Sequence, residues 1–450
     1  MSIQISPTEV GSGSMAAARS TYLADLLKQR QPLSEECSWL EAIRDRAAAR
    51  VQELAIPSKR EEEWRFTDLA PLLQIEFQPV RELATLDFAT IAPFGLPEAV
   101  NSRLVFVDGQ FDAALSAVDD LPAGMIVGSL RTGADLLTTI GKDATRYLDR
   151  QPGSEEVFTA LNTASFTDGA LVWLPRHQEV APPVHLLFVS TGTQPALAHP
   201  RCLVVAETGS QLTLIEEYVA LHSGTYFTNA VTEIWVEGNA EVNHTRVQRE
   251  SGQAFHIGKT VVAQARDSHY TCTAISLGAA LSRHNLEVFA KGEQTQTTLN
   301  GLTMLAGDQV GDTHSTIAFS QPHGSSEQVH KCIVDDRAHA VFNGKIFVPK
   351  LAQLTDAAQL SRTLLLSPKA RVDTKPQLEI TADNVKCAHG ATVSQLEADE
   401  LFYLQSRGID ADQARSLLVY AFAVDVIDRI PILSRRTKLR TLFGERLAPV

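Results

Sequence analysis

Residues 231–247 read VTEIWVEGNAEVNHTRV. Two runs rich in β-branched and apolar residues, Val231–Val236 and Glu241–Val247, are parted by the turn pair Gly238-Asn239, a pattern of strand, turn and strand with no helical period. Working outward, the same unit recurs at Val184–Val189, Gln211–Ile215, His256–Val262, His269–Ile275, Ser282–Phe289 and Thr295–Thr303, then at Ser315–Phe319, Gln328–Val334 and Val341–Val348. Gly209-Ser210, Ser251-Gly252, Gly307-Asp308 and Asp335-Asp336 supply further turns. Closely spaced strands of this size are compatible with a sandwich, a barrel or a β-helix. More than two hundred residues of them strain a single barrel, so a β-helix over 166–385 is preferred, although no strict repeat is visible. Polar residues on alternate positions, as in Thr295-Gln296-Thr297-Thr298 and His244-Thr245-Arg246, predict a sheet with one solvated face.

The flanks differ. Residues 1–165 form a mixed, helix-rich region in which Gly11–Ser14 (GSGS) and the residues before about Met15 read as a flexible tail. Ser34 is a candidate cap for a helix carrying Trp39, Leu40, Ile43, Ala47, Val51 and Leu54, stopped by Pro57. Ser58 and Glu61 have capping-box spacing, and Leu104–Val107 suggests some strand. Residues 386–450 are predicted to be helical. Ser394 and Glu397 open one helix that Gly408 ends, Asp410 caps the next, and Pro431 breaks it before a basic stretch with Arg435, Arg436, Lys438 and Arg440. Such a stretch reads as a solvated helix face.

Composition narrows the function. A formal net charge of −13 over 450 residues argues against nucleic acid and anionic membrane as partners. The apolar run Leu417–Ile427 is broken by Asp425 and too short to span a bilayer. With no secretory pattern at the N-terminus, a cytosolic protein is expected. Five scattered cysteines (37, 202, 272, 332 and 387) contain no CxxC pair, which suits reduced thiols and falls short of a complete cluster site. Gly258-Lys259-Thr260 lacks the first glycine of a phosphate loop, since position 253 is Gln. Nine of thirteen histidines lie between His222 and His339, with no zinc spacing, and most are expected on outward strand faces. His330 and Cys332 are read as structural. No GxSxG element is present.

Cys387-Ala388-His389 is the candidate chemistry. In extended backbone, residues two apart project to one face about 7 Å apart, so a thiol and an imidazole would point together, both suitable iron ligands. Two donors do not close a tetrahedral site, and a second chain or an exogenous thiol would have to complete it. The alternative is a buried Cys387 with His389 hydrogen-bonded to a carbonyl.

Around this segment the chain resembles the C-terminal core of the SufB/SufD family. The resemblance rests on Asn343-Gly344-Lys345-Ile346, Thr355-Asp356-Ala357, Gln359, Leu364–Ser367, Pro376-Gln377-Leu378-Glu379-Ile380, Cys387–Thr392, Leu401–Leu404 and Ser406-Arg407-Gly408. Glu61–Leu69 (EEEWRFTDL) and Gly390, where SufB proteins typically carry Glu, resemble the SufD branch. The resemblance implies a mainly β protein, a right-handed parallel β-helix core flanked by N- and C-terminal helical domains, that is a non-catalytic scaffold. It also implies a heterodimer with a SufB paralogue, each subunit docking one copy of the SufC ABC-type ATPase. The SufC contact is expected on the helices after Thr392, at Leu401, Phe402, Tyr403, Arg407 and Gly408. A transient iron–sulfur cluster shared with SufB is implied at the interface, with His389 as ligand and Cys387 as a less certain helper. No stably bound cofactor is expected. The rival readings are a β-helical carbohydrate-active enzyme and a self-contained homodimeric metal-binding scaffold.

Overall fold

The computed structural model describes residues 8–33, 38–80, 84–119, 121–139, 141–192 and 195–447. Its centre is a parallel β-solenoid of about eight turns. Successive strands alternate between two sheets, so that each strand pairs in parallel with the next but one in sequence. One sheet runs through Arg201–Ala206, Tyr226–Val236, Phe255–Gln264, Leu281–Ala290, Val310–Phe319, His339–Val348 and Arg371–Ile380. The other runs through Gln211–Ala220, Glu241–Arg249, His269–Leu277, Gln296–Leu305, Ser325–Val334, Asp356–Leu365 and Lys386–Ser394. They are called here the first and second sheets. All eleven strand-like runs of the sequence coincide with strands of this solenoid, the run Thr295–Thr303 starting one residue before its strand Gln296–Leu305.

Two boundaries shift. Arg103–Val107, where some strand was expected within the mixed, helix-rich region, pairs in parallel with Val184–Ser190, so the solenoid begins before residue 166. Its last strand, Lys386–Ser394, lies beyond the expected end at residue 385. That strand consumes Ser394, which was read as a cap, and the next helix starts at Ala398. Gly11–Ser14, expected as a tail, lie within the helix Thr8–Lys28. Ser34 and Cys37 fall outside the described residues.

The helical flanks cover the outer faces of the two sheets. Leu23, Ala47, Val51, Trp64 and Phe158 of the N-terminal part pack on Phe227, Phe255, Ile257 and Leu281 of the first sheet. Val419, Ala423, Val426 and Ile427, from the helix Ala411–Ile427 that Asp410 caps, pack on Val247, Ile275, Leu302 and Ile333 of the second. Each buried Val, Leu, Ile or Phe side chain among these stabilises the fold by roughly 1.5–3 kcal/mol.

Inside the solenoid, the alternate polar residues do not face solvent. The inward set of Glu241–Arg249 is Val242, His244, Arg246 and Gln248, all buried. His244 meets Glu216 at 3.2 Å and the Tyr270 hydroxyl at 3.0 Å. Arg246 contacts His256 at 2.5 Å and Thr260 contacts His284 at 3.1 Å. Further along, Gln328 donates to Ser315 (2.7 Å) and Gln359 donates to Gln328 (2.8 Å). His244, His256, His284 and His330 are therefore lumen residues, contrary to the outward placement expected. The reason is the closed lumen: a polar side chain finds its partner on the neighbouring coil, as His244 does in Glu216 and Gln359 in Gln328, or across the lumen, as Arg246 does in His256 and Gln328 in Ser315, instead of in water. Gly301 makes one such stack feasible. A Cβ there would lie 2.1 Å from Nδ1 of His330, whose ring lies flat on Phe342 with centroids 4.6 Å apart.

Candidate metal-ligand site at the open end of the solenoid

Lys386–Ser394 pairs only with Asp356–Leu365, and Arg371–Ile380 only with His339–Val348. These two strands end the sheets, and among the described residues no strand covers their outer edges. None of their residues is buried, so each leaves backbone N–H and C=O groups open to pairing.

Cys387 and His389 lie on this terminal strand in register with Ala357 and Gln359. Both of those are lumen residues, 1% and 3% exposed, so Cys387 and His389 occupy the same inward columns one coil further on. No coil follows to seal them. His389 is exposed, and Cys387 is half-buried against the core. Burial pushes the Cys387 thiol up, and nearby Asp356 adds to this, opposed by the Ala357 backbone N–H. A metal or a positive charge at the strand end would reverse that balance and favour the thiolate. His389 and Gln359 also border an open groove of about 720 Å³ that includes Glu327 and Asp356. Among the described residues no three His, Cys, Asp or Glu side chains are grouped to hold a metal ion.

Of the residues expected to meet an ATPase partner, Leu401, Phe402 and Tyr403 lie on the short helix Ala398–Gln405, which has no buried residue, and Arg407 and Gly408 follow it. Phe402 and Tyr403 are 70% and 58% exposed. Arg407 stacks its guanidinium 5.2 Å from the Tyr403 ring and donates to its hydroxyl at 3.3 Å. Gly408, at φ +89°, ends the segment, a conformation that glycine adopts without penalty. Leu401 is half-buried.

A buried ion cluster escaped the reading of the sequence. Glu217, fully buried on the outer face of the second sheet, meets Arg435 at 2.6 Å, Arg249 at 2.5 Å and His185 at 3.4 Å. Burial alone would raise the Glu217 carboxyl, but Arg435, His185 and Arg249 pull it down to about 2. Arg435 also donates to the Phe94 carbonyl at 2.9 Å, and its neighbour Ser434 binds Glu98. Arg435 is therefore sealed and pins the helix Leu433–Leu447, whereas Lys438 and Arg440 of the same basic stretch are exposed, as expected of a solvated face. One signal was available: Glu216-Glu217 is a pair of acids inside an otherwise apolar strand, one of which must point inward and the other outward. Lys259 of the apparent phosphate loop is also buried, in a strand, and pairs with Glu287 at 3.0 Å.

Comparison with known proteins supplies the remaining finding. Residues 188–422 match the model described as SUF system FeS cluster assembly, SufBD core domain, and residues 17–186 match the SufBD protein N-terminal region. An iron–sulfur cluster assembly SufBD family protein of Synechocystis is 46% identical over 441 residues, covering 94% of this chain and 96% of the relative. The iron–sulfur cluster assembly protein SufD of Escherichia coli is 31% identical over 395 residues, covering 87% and 89%. The chloroplastic protein ABCI7 of Arabidopsis thaliana is 35% identical over 413 residues, covering 89% and 85%.

Proposed function

Because this chain belongs to the SufB/SufD family of iron–sulfur cluster assembly proteins, we propose that it is the SufD-type scaffold subunit of a SufB–SufC–SufD complex and performs no catalysis of its own. The observation that carries the reading is the exposure of His389 on an uncovered terminal strand, with Cys387 two residues away in the same register. A paralogous subunit that pairs with the free edges brings further donors to within reach of this imidazole. The nascent cluster is cargo, held across the contact between His389 and ligands of the partner, with Cys387 assisting. Two donors hold a cluster weakly, which suits an intermediate that must be passed on.

The exposed Phe402 and Tyr403 are suited to dock the ATPase, since exposed aromatics beside an arginine are typical anchors of an interface. Force applied there would reach the solenoid through the helix Ala411–Ile427. Asp425 and the Phe422 carbonyl of that helix hold Lys331 of the second sheet at 2.9 Å and 3.0 Å. ATP binding would draw two ATPase copies together, rotate the attached solenoids and open the strand-end interface to iron and sulfur. Among the described residues no helix is long and apolar enough to cross a membrane, and the assembly is expected in the cytosol.

The test is His389→Ala in a complex reconstituted with SufB and SufC homologues. The complex should form at its normal size while the yield of cluster, followed by visible absorbance and bound iron, falls severalfold. Unchanged cluster yield would reject the role of His389.

A further inference from the structure

Three segments singled out in the sequence, Glu61–Leu69, Asn343–Ile346 and Pro376–Ile380, have no part in the His389 site. They meet on the other sheet. Where the N-terminal helices stop covering the outer face of the first sheet, a cleft of about 460 Å³ opens, a volume typical of a small-ligand site. Glu63, Asn343, Lys345 and Glu379 from these segments line it, together with Glu156 and Glu287. Phe289 and Phe347 give it an apolar wall.

The cations of the cleft are already committed. Arg283 binds Asp312 at 2.5 Å and lies 3.9 Å from the centroid of the Trp64 ring. Lys345 pairs with Glu379 at 2.6 Å. His314 sits between Glu63 and Asp312, 3.1 Å from each. Acceptors remain in excess. Oδ1 of Asn343, a side chain whose residue is only 8% exposed, has no hydrogen-bond partner. Oε1 of Glu156 is likewise buried and unpartnered, while its other oxygen caps the helix Val157–Ser165 through Thr159. A buried acceptor without a donor is costly, and two in one cleft require an explanation. Glu63, Glu287 and Glu379 are paired with His314, Lys259 and Lys345, which leaves Glu156 as the acid of the lining with an unpartnered oxygen, and together with Asn343 it favours a donor-rich positive group.

We propose that this cleft binds an alkyl guanidinium or alkyl ammonium group, with its charged head on Asn343 and Glu156 and its stem along Phe289 and Phe347. The group comes either from an arginine or lysine of a partner protein or from a free polyamine. Binding needs no metal and does not involve His389.

The experiment is calorimetric titration of the full chain at low salt with three probes: the peptide acetyl-Arg-Ala-Arg-Ala-Arg-amide, its glutamate counterpart, and spermidine. At least one cationic probe should bind and the glutamate peptide should not. Asn343→Leu, which removes the acceptor, should weaken binding by about tenfold or more, the loss expected for a hydrogen bond to a charged group. Glu379→Gln, a half-exposed position, should weaken it about threefold with an unchanged thermal midpoint, and decides the matter if Asn343→Leu does not fold. Tighter binding of the arginine peptide identifies a partner side chain as the source, and tighter binding of spermidine identifies a free polyamine. The proposal is overturned if neither cation binds, if the glutamate peptide binds equally well, or if the folded variants bind like wild type.

Discussion

Replacing Arg435 with Met tests whether the C-terminal helices are pinned to the solenoid by charge. Arg435 is 0% exposed and shares the sealed Glu217 carboxylate with Arg249 and His185. Removing one partner of a buried pair costs about 3–5 kcal/mol, because the charge left behind is uncompensated. In Arg435→Met, Glu217 keeps Arg249, so the loss should fall near the lower bound, about 3 kcal/mol. In Glu217→Ala, the Arg435 guanidinium keeps the Phe94 carbonyl but loses its carboxylate at 2.6 Å, and the loss should approach the upper bound, about 5 kcal/mol. The double variant Glu217→Leu/Arg435→Met removes both charges and should be less destabilised than the sum of the singles by more than about 1 kcal/mol. Hydrogen exchange of residues 411–447 is the assay, since it reads local opening of these helices directly. If Arg435→Met exchanges like wild type within about 0.5 kcal/mol, or the two single effects simply add, the pin is not what holds the helices down.

The segment Glu62–Phe66 should show a pH window. Burial works against a charged His314, but Asp312 and Glu63 outweigh it and raise its pKa despite Arg283, while Glu63 is held below the usual range by its bond to His314. The His314 contribution is complete below about pH 6.5 and fades as pH rises through the raised value; that of Glu63 is complete above about pH 4.3 and fades as pH falls. Exchange protection of residues 60–67 should therefore peak between these limits, with Lys345 and Lys375 as constant positive neighbours, and His314→Gln should abolish the alkaline decline. Phe402→Asp, at a 70% exposed position, should leave the unfolding midpoint unchanged yet weaken capture of the SufC-type ATPase at least tenfold; equal capture would remove this helix from the docking surface.

Strand positions were legible because turns such as Gly238-Asn239 interrupt every coil at short intervals, and their local chemistry needs no tertiary context. Which way the strands faced was not. Thr297, His244 and Arg246 stand on alternate positions as on a half-solvated sheet, yet they are buried lumen residues, since period two is identical for both faces and the partners come from other strands of the solenoid. The same ambiguity hid Arg435, whose surroundings read as a surface helix until Glu217 is seen opposite it. At the candidate site, the common register of Cys387 and His389 followed from spacing alone. Their position at the last coil did not, because the end of a solenoid depends on where pairing stops, and Lys386–Ser394 continues it.

An open solenoid end poses a physical problem that bears on the function. Repeat folds usually close their terminal coil with a capping element, because a bare coil exposes both core and pairing groups. Here the C-terminal helices turn back over the face of the second sheet, where Val419 and Ile427 join its core, and among the described residues no strand pairs with the outer edges of Arg371–Ile380 and Lys386–Ser394. Val393 and Ile380 are 48% and 37% exposed there. A related solenoid that brings its own open end would satisfy the unpaired strands, cover these side chains and complete the donor set around His389 in one contact. On the proposed function, coil closure and ligand completion would be the same event, and a motion that parts the two solenoids would also loosen the cluster. Release of the cargo would require no separate gate.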